Sequence, residues 1–488
     1  MSEANGLERN WLQVTCQRSI NNGTFAQGVQ DFNFSVGGRY AFNPAKSYFR
    51  FAVKLTNANN NQPTVSNYLA MADGVVNCLY NNIYFRAGGS DVSSIVNYAP
   101  QAGIIKSRLS KSGAWLNTIG KSAYGLDADF NSRPNEIARD GVSSTGSDQR
   151  NLVGTGTPSV VVNTDGTVVG TGTLFATAPY TVVSGDLLNV DGVSYTVNTV
   201  LNDTSLTVSA PRPATPVTSG AVYVIKRQPT NRKNDKYIMW RPPIGIFDHD
   251  GLLGSGDYRI QLNPRADFAK AAVESLTNRT DYTFTVEDVQ FYACIEKSNL
   301  AATAVDRLYL TEMQLQTKTL STGADASNLD FSVPPSTKQI AVFVQNGAAG
   351  SNSILPLTKL KCLANQDENL KQLQITYANV NKPSTNWSSE YVTPKNYLTQ
   401  RYLDTILYSG MVESEGGAES FEEWKKRGAV YLFDFSRDSE DRSSHCQLQM
   451  QFGNMEANTN VFVCSFYTRT VEVTTTNGFI SSVNSLSI

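Results

Sequence analysis

Histidine is nearly missing from this chain, and several kinds of chemistry go missing with it. His249 and His445 are the only two among 488 residues, too few for a multi-histidine metal site. Charge is also sparse: Asp, Glu, Lys and Arg make up 17% of the chain, the formal net charge is -2 and the isoelectric point lies near 5.9. Such a chain exerts no general attraction on nucleic acid or anionic lipid. Near the amino terminus Arg9, Arg18 and Arg39 are set against Glu3, Glu8 and Asp31, so this arm is no basic tail and is expected to be irregular and solvated. No apolar run is long enough to cross a bilayer, and MSEANGLERNW lacks the basic and apolar stretches of a secretory signal. Synthesis in the cytosol or nucleus, without secretion, is expected. The Asn-x-Ser/Thr matches at Asn22, Asn33, Asn202, Asn278 and Asn386 are then chance. The six cysteines (Cys16, Cys78, Cys294, Cys362, Cys446 and Cys464) form no CxxC pair, and most lie in apolar runs such as FYAC and VFVC. Buried free thiols and a reducing compartment are the expectation.

Catalytic patterns are lacking too. Asp248-His249-Asp250 carries three ligand-type side chains, but it stands beside Gly251 between strand-like runs and reads as a solvated turn. Glu287 and Asp288 are adjacent in a strand, so they point to opposite faces and cannot act as one acid/base pair. His445 follows Ser444 and precedes Cys446, yet sequence adjacency does not assemble a nucleophile, a base and an orienting group. No GxxxxGK[ST] occurs, and GTGTLF lacks the lysine and following helix that cradle phosphate. GAESFEEWKKRGAV (Gly417 to Val430) reads as a solvated loop. The aromatic strands YRIQL, FTVEDVQFYA and VFVCSFY lack interleaved Lys and Arg, which makes them core and not a base-stacking platform. No catalytic residue, metal ligand or cofactor site is expected.

What is present is β-structure, laid out twice. Tyr and Phe are numerous, at 22 each, and Thr, Val, Asn and Ser abound, a composition of strands joined by polar loops. IGIFDHDGLLGSGDYRIQL (Ile244 to Leu262) feeds DYTFTVEDVQFYACIEK (Asp281 to Lys297). Later, VYLFDFSRDSEDRSSHCQLQMQF (Val430 to Phe452) feeds NTNVFVCSFYTRTVEV (Asn460 to Val473). Phe32, Phe34 and Val36, then Phe49, Phe51, Val53 and Leu55, alternate with polar neighbours as half-buried strands do. VVNCLYNNIYFRA (Val75 to Ala87) and DVSSIVNY (Asp91 to Tyr98) read as further strands, and Asn-rich NANNNQPTVSN as a loop. Parity slips at Glu287-Asp288, which predicts a β-bulge there. VFVCSFY is apolar on both faces and should be a central strand, whereas QLQMQF alternates. A short helix is predicted near Ile104, Ile105 and Leu109. A second is predicted over Tyr397 to Leu407, with Leu398, Tyr402, Leu403, Ile406 and Leu407 at helical spacing. About eight strands and one short helix per unit is the content of a jelly roll; the count alone leaves an immunoglobulin-like sandwich open, and the long, irregular connections favour the jelly roll.

From about Asn151 to Ile225 the texture changes. This stretch has no Lys, Arg212 as its single base, and Asp165, Asp186, Asp191 and Asp203 beside Gly or Asn in turn positions. Short Val/Thr strands joined by Asp-Gly turns describe a small β-barrel or β-roll inserted in a loop of the first unit, with DGVSSTGSDQR and KRQPTNRKND as linkers. The expected organisation is an amino-terminal arm over 1–29, a first roll over 30–150 and 228–297, the insert over 151–227, a second roll over 306–475 and a tail over 476–488.

The order of these pieces resembles a known family. GGRYAFNPAKSYFRFAVKLTN, DGVVNCLYNNIYFRAGGSDVSSIVNY, WRPPIGIFDHDGLLGSGDYRIQLNPRADF and TFTVEDVQFYACIEK are similar to the amino-terminal half of the double jelly-roll major capsid proteins of polinton-like viruses, virophages and adintoviruses. LYLTEMQLQTKTLSTGADASNLDF, LKQLQITYANVNKPS, YLTQRYLDTILYSG and the run from Gly428 to Val473 match the other half. The resemblance implies an all-β fold of two tandem eight-stranded jelly rolls and a structural, non-enzymatic subunit. It also implies a homotrimer forming a pseudo-hexagonal capsomer that tiles an icosahedral shell around a DNA genome. Partners would be the chain itself, neighbouring capsomers, and penton and minor or cement proteins; residues 151–227 could contact a host surface. No nucleic-acid site is evident, and the location implied is the virion. The rival is a virion-surface adhesin or spike with the insert as its receptor-binding head. A carbohydrate-active enzyme on this scaffold lacks an acid pair.

Overall fold

The structure, a computed structural model, describes residues 9–20, 23–57, 69–126, 149–150, 159–173, 175–176, 182, 187–190, 193–209, 212–218, 223–226, 235–275, 280, 282–297, 303–320, 326–351, 355–361, 370–384, 398–411, 420–421, 424, 428–437, 443–452, 459–477 and 479–486. Most of the expected loop NANNNQPTVSN, of the linkers DGVSSTGSDQR and KRQPTNRKND and of the Gly417 to Val430 run, and Cys362, lie outside them.

Eight strands build the first roll: β1 (Arg9–Thr15), β2 (Gln30–Val36), β3 (Tyr40–Asn57), β4 (Tyr80–Ala87), β5 (Ser90–Ile95), β6 (Asp235–Trp240), β7 (Gly256–Pro264) and β8 (Tyr282–Lys297). They pair as two four-stranded sheets, β1-β8-β3-β6 and β2-β7-β4-β5. The second roll uses β9 (Thr303–Leu320), β10 (Ala326–Ser332), β11 (Thr337–Asn346), β12 (Leu370–Tyr377), β13 (Val380–Lys382), β14 (Tyr431–Asp434), β15 (His445–Phe452) and β16 (Thr459–Thr476). Its sheets run β9-β16-β11-β14 and β10-β15-β12-β13. Adding eight to each label of the first roll yields the second, so the pairing order is duplicated strand for strand. All the ladders are antiparallel, and each sheet draws strands from distant parts of the chain, which is the jelly-roll wiring.

The alternating residues fill the two interiors differently. In the first roll the inward positions are mostly aromatic: Phe34, Phe42, Phe49, Phe85, Phe291 and Tyr258 are buried. Their rings meet at 4.7 Å for Phe49–Phe291 and 5.1 Å for Phe34–Phe42 and Phe42–Tyr258. Such pairs contribute about 0.5–1.5 kcal/mol each beyond their burial. The second interior is more aliphatic, with Ile340, Val342, Val344, Leu373, Ile375, Leu448, Val461 and Val463. As the sequence predicted, Val461 to Ser465 are buried on both faces, because β16 lies between β9 and β11. The predicted bulge is present as well: Val286 pairs with Val53 and Asp288 with Ala52, leaving Glu287 as the extra residue.

Helix α1 (Ala99–Ser110) follows β5 and helix α2 (Leu398–Ser409) follows β13, the same place in each roll. Helix α2 corrects the expected face. Leu403 and Leu407 are 47% and 58% exposed, while Arg401 and Thr405 are buried. The Thr405 hydroxyl shares its proton between Arg401 O at 2.9 Å and Val430 O at 3.2 Å and accepts from Leu432 N–H at 3.2 Å; that bonding to β14 and its approach overrides the apolar spacing.

Four further expectations are corrected. Val75–Leu79 is a 3-10 turn and not the start of a strand; it follows Gly74 at φ 64, and all five of its residues are buried. Gly245–Asp248 likewise forms a 3-10 turn within a run read as β-type. The arm read as solvated contributes β1, paired to β8 from Arg9↔Glu296 to Thr15↔Gln290. In it only Val14 is buried, so no alternation marked it; backbone pairing and the Arg9–Glu296 ion pair at 2.8 Å hold it. The tail contributes β17 (Phe479–Leu486), paired to β16.

The chain divides into two compact units, one of residues 1–60, 70–128 and 233–488, which holds both rolls, and one of 61–69 and 129–232. The smaller unit carries one eight-stranded sheet whose order begins Val217–Thr218, Ser159–Val162, Thr167–Thr171, Ser205–Val208 and Val193–Asn202. Val160, Val162, Val168, Phe175, Leu188 and Leu206 form part of its own buried core. Its Asp-Gly turn is built as the sequence indicates. Thr167 N–H and hydroxyl donate to Asp165 Oδ1 at 2.8 and 2.6 Å, with Gly166 at φ 84.

Among the described cysteines none is in a disulfide. Burial pushes the Cys78 and Cys446 thiols up to about 12, and that of Cys464 higher still. Alkylation of the native protein is therefore expected to label half-buried Cys16 well before Cys78, Cys446 and Cys464. Residue-resolved mass spectrometry checks the order, and equal labelling of all four would contradict the burial described.

Candidate functional site: the seam between the two rolls

Polar and charged side chains concentrate where the second roll meets the first. From β9, Glu312 reaches across and is 1% exposed. The Ser93 hydroxyl of β5 donates to its Oε1, Gly245 N–H donates to its Oε2 at 3.3 Å, and Ile246 N–H donates to Ser93 Oγ at 3.2 Å. A Cβ at Gly245 would stand 2.7 Å from Thr311 O, so glycine is what lets the 3-10 turn approach β9. Burial raises the Glu312 carboxyl to about 7, against smaller opposing effects from Ser93, the Gly245 N–H and the charges of Arg469 and Lys106.

A second contact joins α1 to β11. Gln101 Nε2 donates to Gln345 Oε1 at 2.9 Å, and Gln345 Nε2 donates on to Leu357 O at 2.8 Å. Nearby, Lys359 is ion-paired with Glu274, their side chains 7% and 0% exposed. Tyr98 meets Phe462 edge-on at 5.4 Å. At the far end β17 acts as a strap: it pairs with β16 while Ile480 N–H donates to Ser255 O of the first roll at 2.8 Å. Buried, mutually bonded groups from both rolls fix their relative orientation, since a shift of one roll against the other would break these bonds while the groups stay buried.

The residues weighed for chemistry do not converge. Asp248 pairs with Lys106 at 2.5 Å, away from any shared ligand set with half-buried His249, whose pKa is lowered by burial against the charges of Asp306 and Asp250. Asp288 pairs with Arg50 at 3.1 Å. His445 Nε2 lies 3.3 Å from Asp330 on the exposed surface, while the Cys446 thiol beside it is buried and raised. Among the described residues no group of His, Cys, Asp and Glu could hold a metal ion, and no helix is long and apolar enough to cross a membrane. The seam itself was not foreseen from the sequence. Glu312 in LYLTEMQ looks like an ordinary strand glutamate, and its partner Ser93 lies 219 positions away.

No family model matches the sequence, and no curated protein does either. Among solved structures, a chain of the Sputnik virophage, solved by cryo-EM, superposes with a TM-score of 0.51 at 11% identity over 98% of this chain and 88% of that one. This chain has the double jelly-roll fold. The mavirus major capsid protein (TM-score 0.41, 9% identity, 98% and 90% covered) and the Faustovirus major capsid protein (0.45, 8%, 96% and 91%) also align. Within the double jelly roll the seam is the feature that makes one body of two sandwiches. Large apolar side chains remain on its outside: Tyr237 is 70%, Tyr309 64%, Val305 61% and Trp11 49% exposed.

Proposed function

We propose that this chain is a viral major capsid protein, a structural subunit that forms a trimeric, pseudo-hexagonal capsomer and tiles an icosahedral shell around a DNA genome. The observation that carries this reading is the strand-for-strand duplication of the roll within one compact unit. Three copies of such a subunit present six similar sandwiches, so a three-fold particle fills a position of near six-fold symmetry. The seam supports this use, because a lattice block must hold its two rolls at a fixed angle. Whole-length likeness to a chain of the Sputnik virophage supports the location in a virion. Exposed Tyr237, Tyr309, Val305 and Trp11 supply apolar surface for contacts with further copies. The chain acts by assembly and not by catalysis. The small β unit is available for contact with a host surface or neighbouring capsomers, and penton and cement proteins complete the shell.

The purified chain is expected to run in light scattering at three times its 53.3 kDa mass, and to show three-fold particles with a near-hexagonal base in negative stain. A monomeric rod, or a purified virion holding only a few copies at each vertex, would sink this reading.

A further inference from the structure

One cavity of the larger unit, about 100 Å³ in volume, has a charge pattern that nothing in the fold explains. Its walls are Trp115, Tyr124 and Trp240 with apolar Val76, Leu126 and Pro242, and three cations line it: Lys106, Lys111 and Arg241. Asp248, the one acid in the lining, is taken up by Lys106 at 2.5 Å. Lys111 and Arg241 therefore face the same small space with no carboxylate among the described residues paired to either. The carboxyl-terminal end of α1 favours the Lys111 charge, yet burial and the Arg241 and Lys106 charges lower its pKa against the opposing charge of Asp248. Arg241 is exposed and Lys111 partly buried; their like charges at the mouth of an apolar cavity repel each other, and an anion entering it relieves that repulsion.

The walls say what carries the anion. An inorganic anion would leave the apolar side of the cavity unfilled. A nucleobase would need open aromatic faces, but Lys111 Nζ already lies 5.0 Å from the centre of the Trp115 ring, Trp115 leans on Tyr124 at 5.2 Å, and Trp240 stacks on Tyr80 at 5.6 Å. The apolar walls suit an aliphatic side chain. The box is also pre-set, since Trp240 Nε1 donates to buried Asn77 Oδ1 at 2.8 Å.

We propose that this cavity binds the carboxyl-terminal residue of a partner polypeptide, its apolar side chain between the tryptophans and its free carboxylate on Lys111 and Arg241. The proposal does not depend on the capsid reading, because it rests on the lining alone.

Calorimetry on the full chain tests it with acetyl-Ala-Ala-Leu as the free acid, the same peptide as its amide, and N-acetyl-leucine. The free acid is expected to bind, with the amide weaker by about ten-fold or more, as loss of a charge-assisted contact requires. Lys111→Met, which keeps the stem over Trp115, and Arg241→Gln should each weaken the acid by about ten-fold while leaving the near-ultraviolet dichroism unchanged. Acid and amide binding alike, no binding of the acid at ~1 mM, or indifference to both substitutions would overturn the site. N-acetyl-leucine binding as tightly as the peptide would overturn the polypeptide as its source.

Discussion

Lys359→Met is expected to lower the unfolding free energy by about 3–5 kcal/mol, the range for removing one partner of a buried ion pair. The carboxylate it abandons, Glu274, has a fully buried side chain. Water cannot replace the ammonium without opening the seam. The effect comes from the stranded charge and not from the worth of the pair, and a second variant separates the two. Adding Glu274→Leu to Lys359→Met removes both charges, and most of the lost stability should return. Denaturant unfolding of both variants checks this. A single substitution costing under about 1 kcal/mol, the range of exposed pairs, would mean that Glu274 is solvated and the seam more open than described.

How much of this was visible in the sequence follows from the range of the forces involved. The bulge at Glu287 was legible because parity is local: one extra residue shifts every later side chain to the other face. The central place of β16 was legible because Val461 to Cys464 carry no polar residue to turn toward water. Helix α2 was legible as a helix but not as a surface. Its leucines keep helical spacing, whereas the buried side is chosen by the hydroxyl of Thr405 bonding to a segment some 25 positions on. Strands β1 and β17 were hidden because edge strands need backbone partners and no apolar alternation. The seam was hidden for a stronger reason. Glu312, Gln345, Lys359 and Glu274 are polar residues that become core only when a second folded body covers them, and nothing near them in the chain records that cover. The lining of the Lys111 cavity was hidden likewise, its members coming from four separate stretches of the first roll.

Glu312→Gln is expected to raise stability by about 3 kcal/mol at pH 8 and to change it little at pH 4.5. In the folded chain this carboxyl titrates at about 7, against 4.5 when free in water. Between those values the folded state holds a proton that the unfolded state has released, so stability falls as pH rises across the window and levels off above it. The groups around Glu312 set the size of the effect. Ser93 and the Gly245 N–H come from the first roll, Lys106 projects from α1, and Arg469 and Tyr467 stand on β16. Their bonds and charges do not offset burial. Ionised, Glu312 accepts from both Ser93 Oγ–H and Gly245 N–H; as the neutral acid it carries a proton on the Ser93 side, so the Ser93 hydroxyl turns to accept, the arrangement a glutamine amide imposes at every pH. Subtracting variant from wild-type denaturation midpoints cancels all other titrating groups and leaves a curve centred between pH 4.5 and about 7. A difference that does not vary with pH would show that Glu312 stays ionised, and hence that water reaches it through the seam.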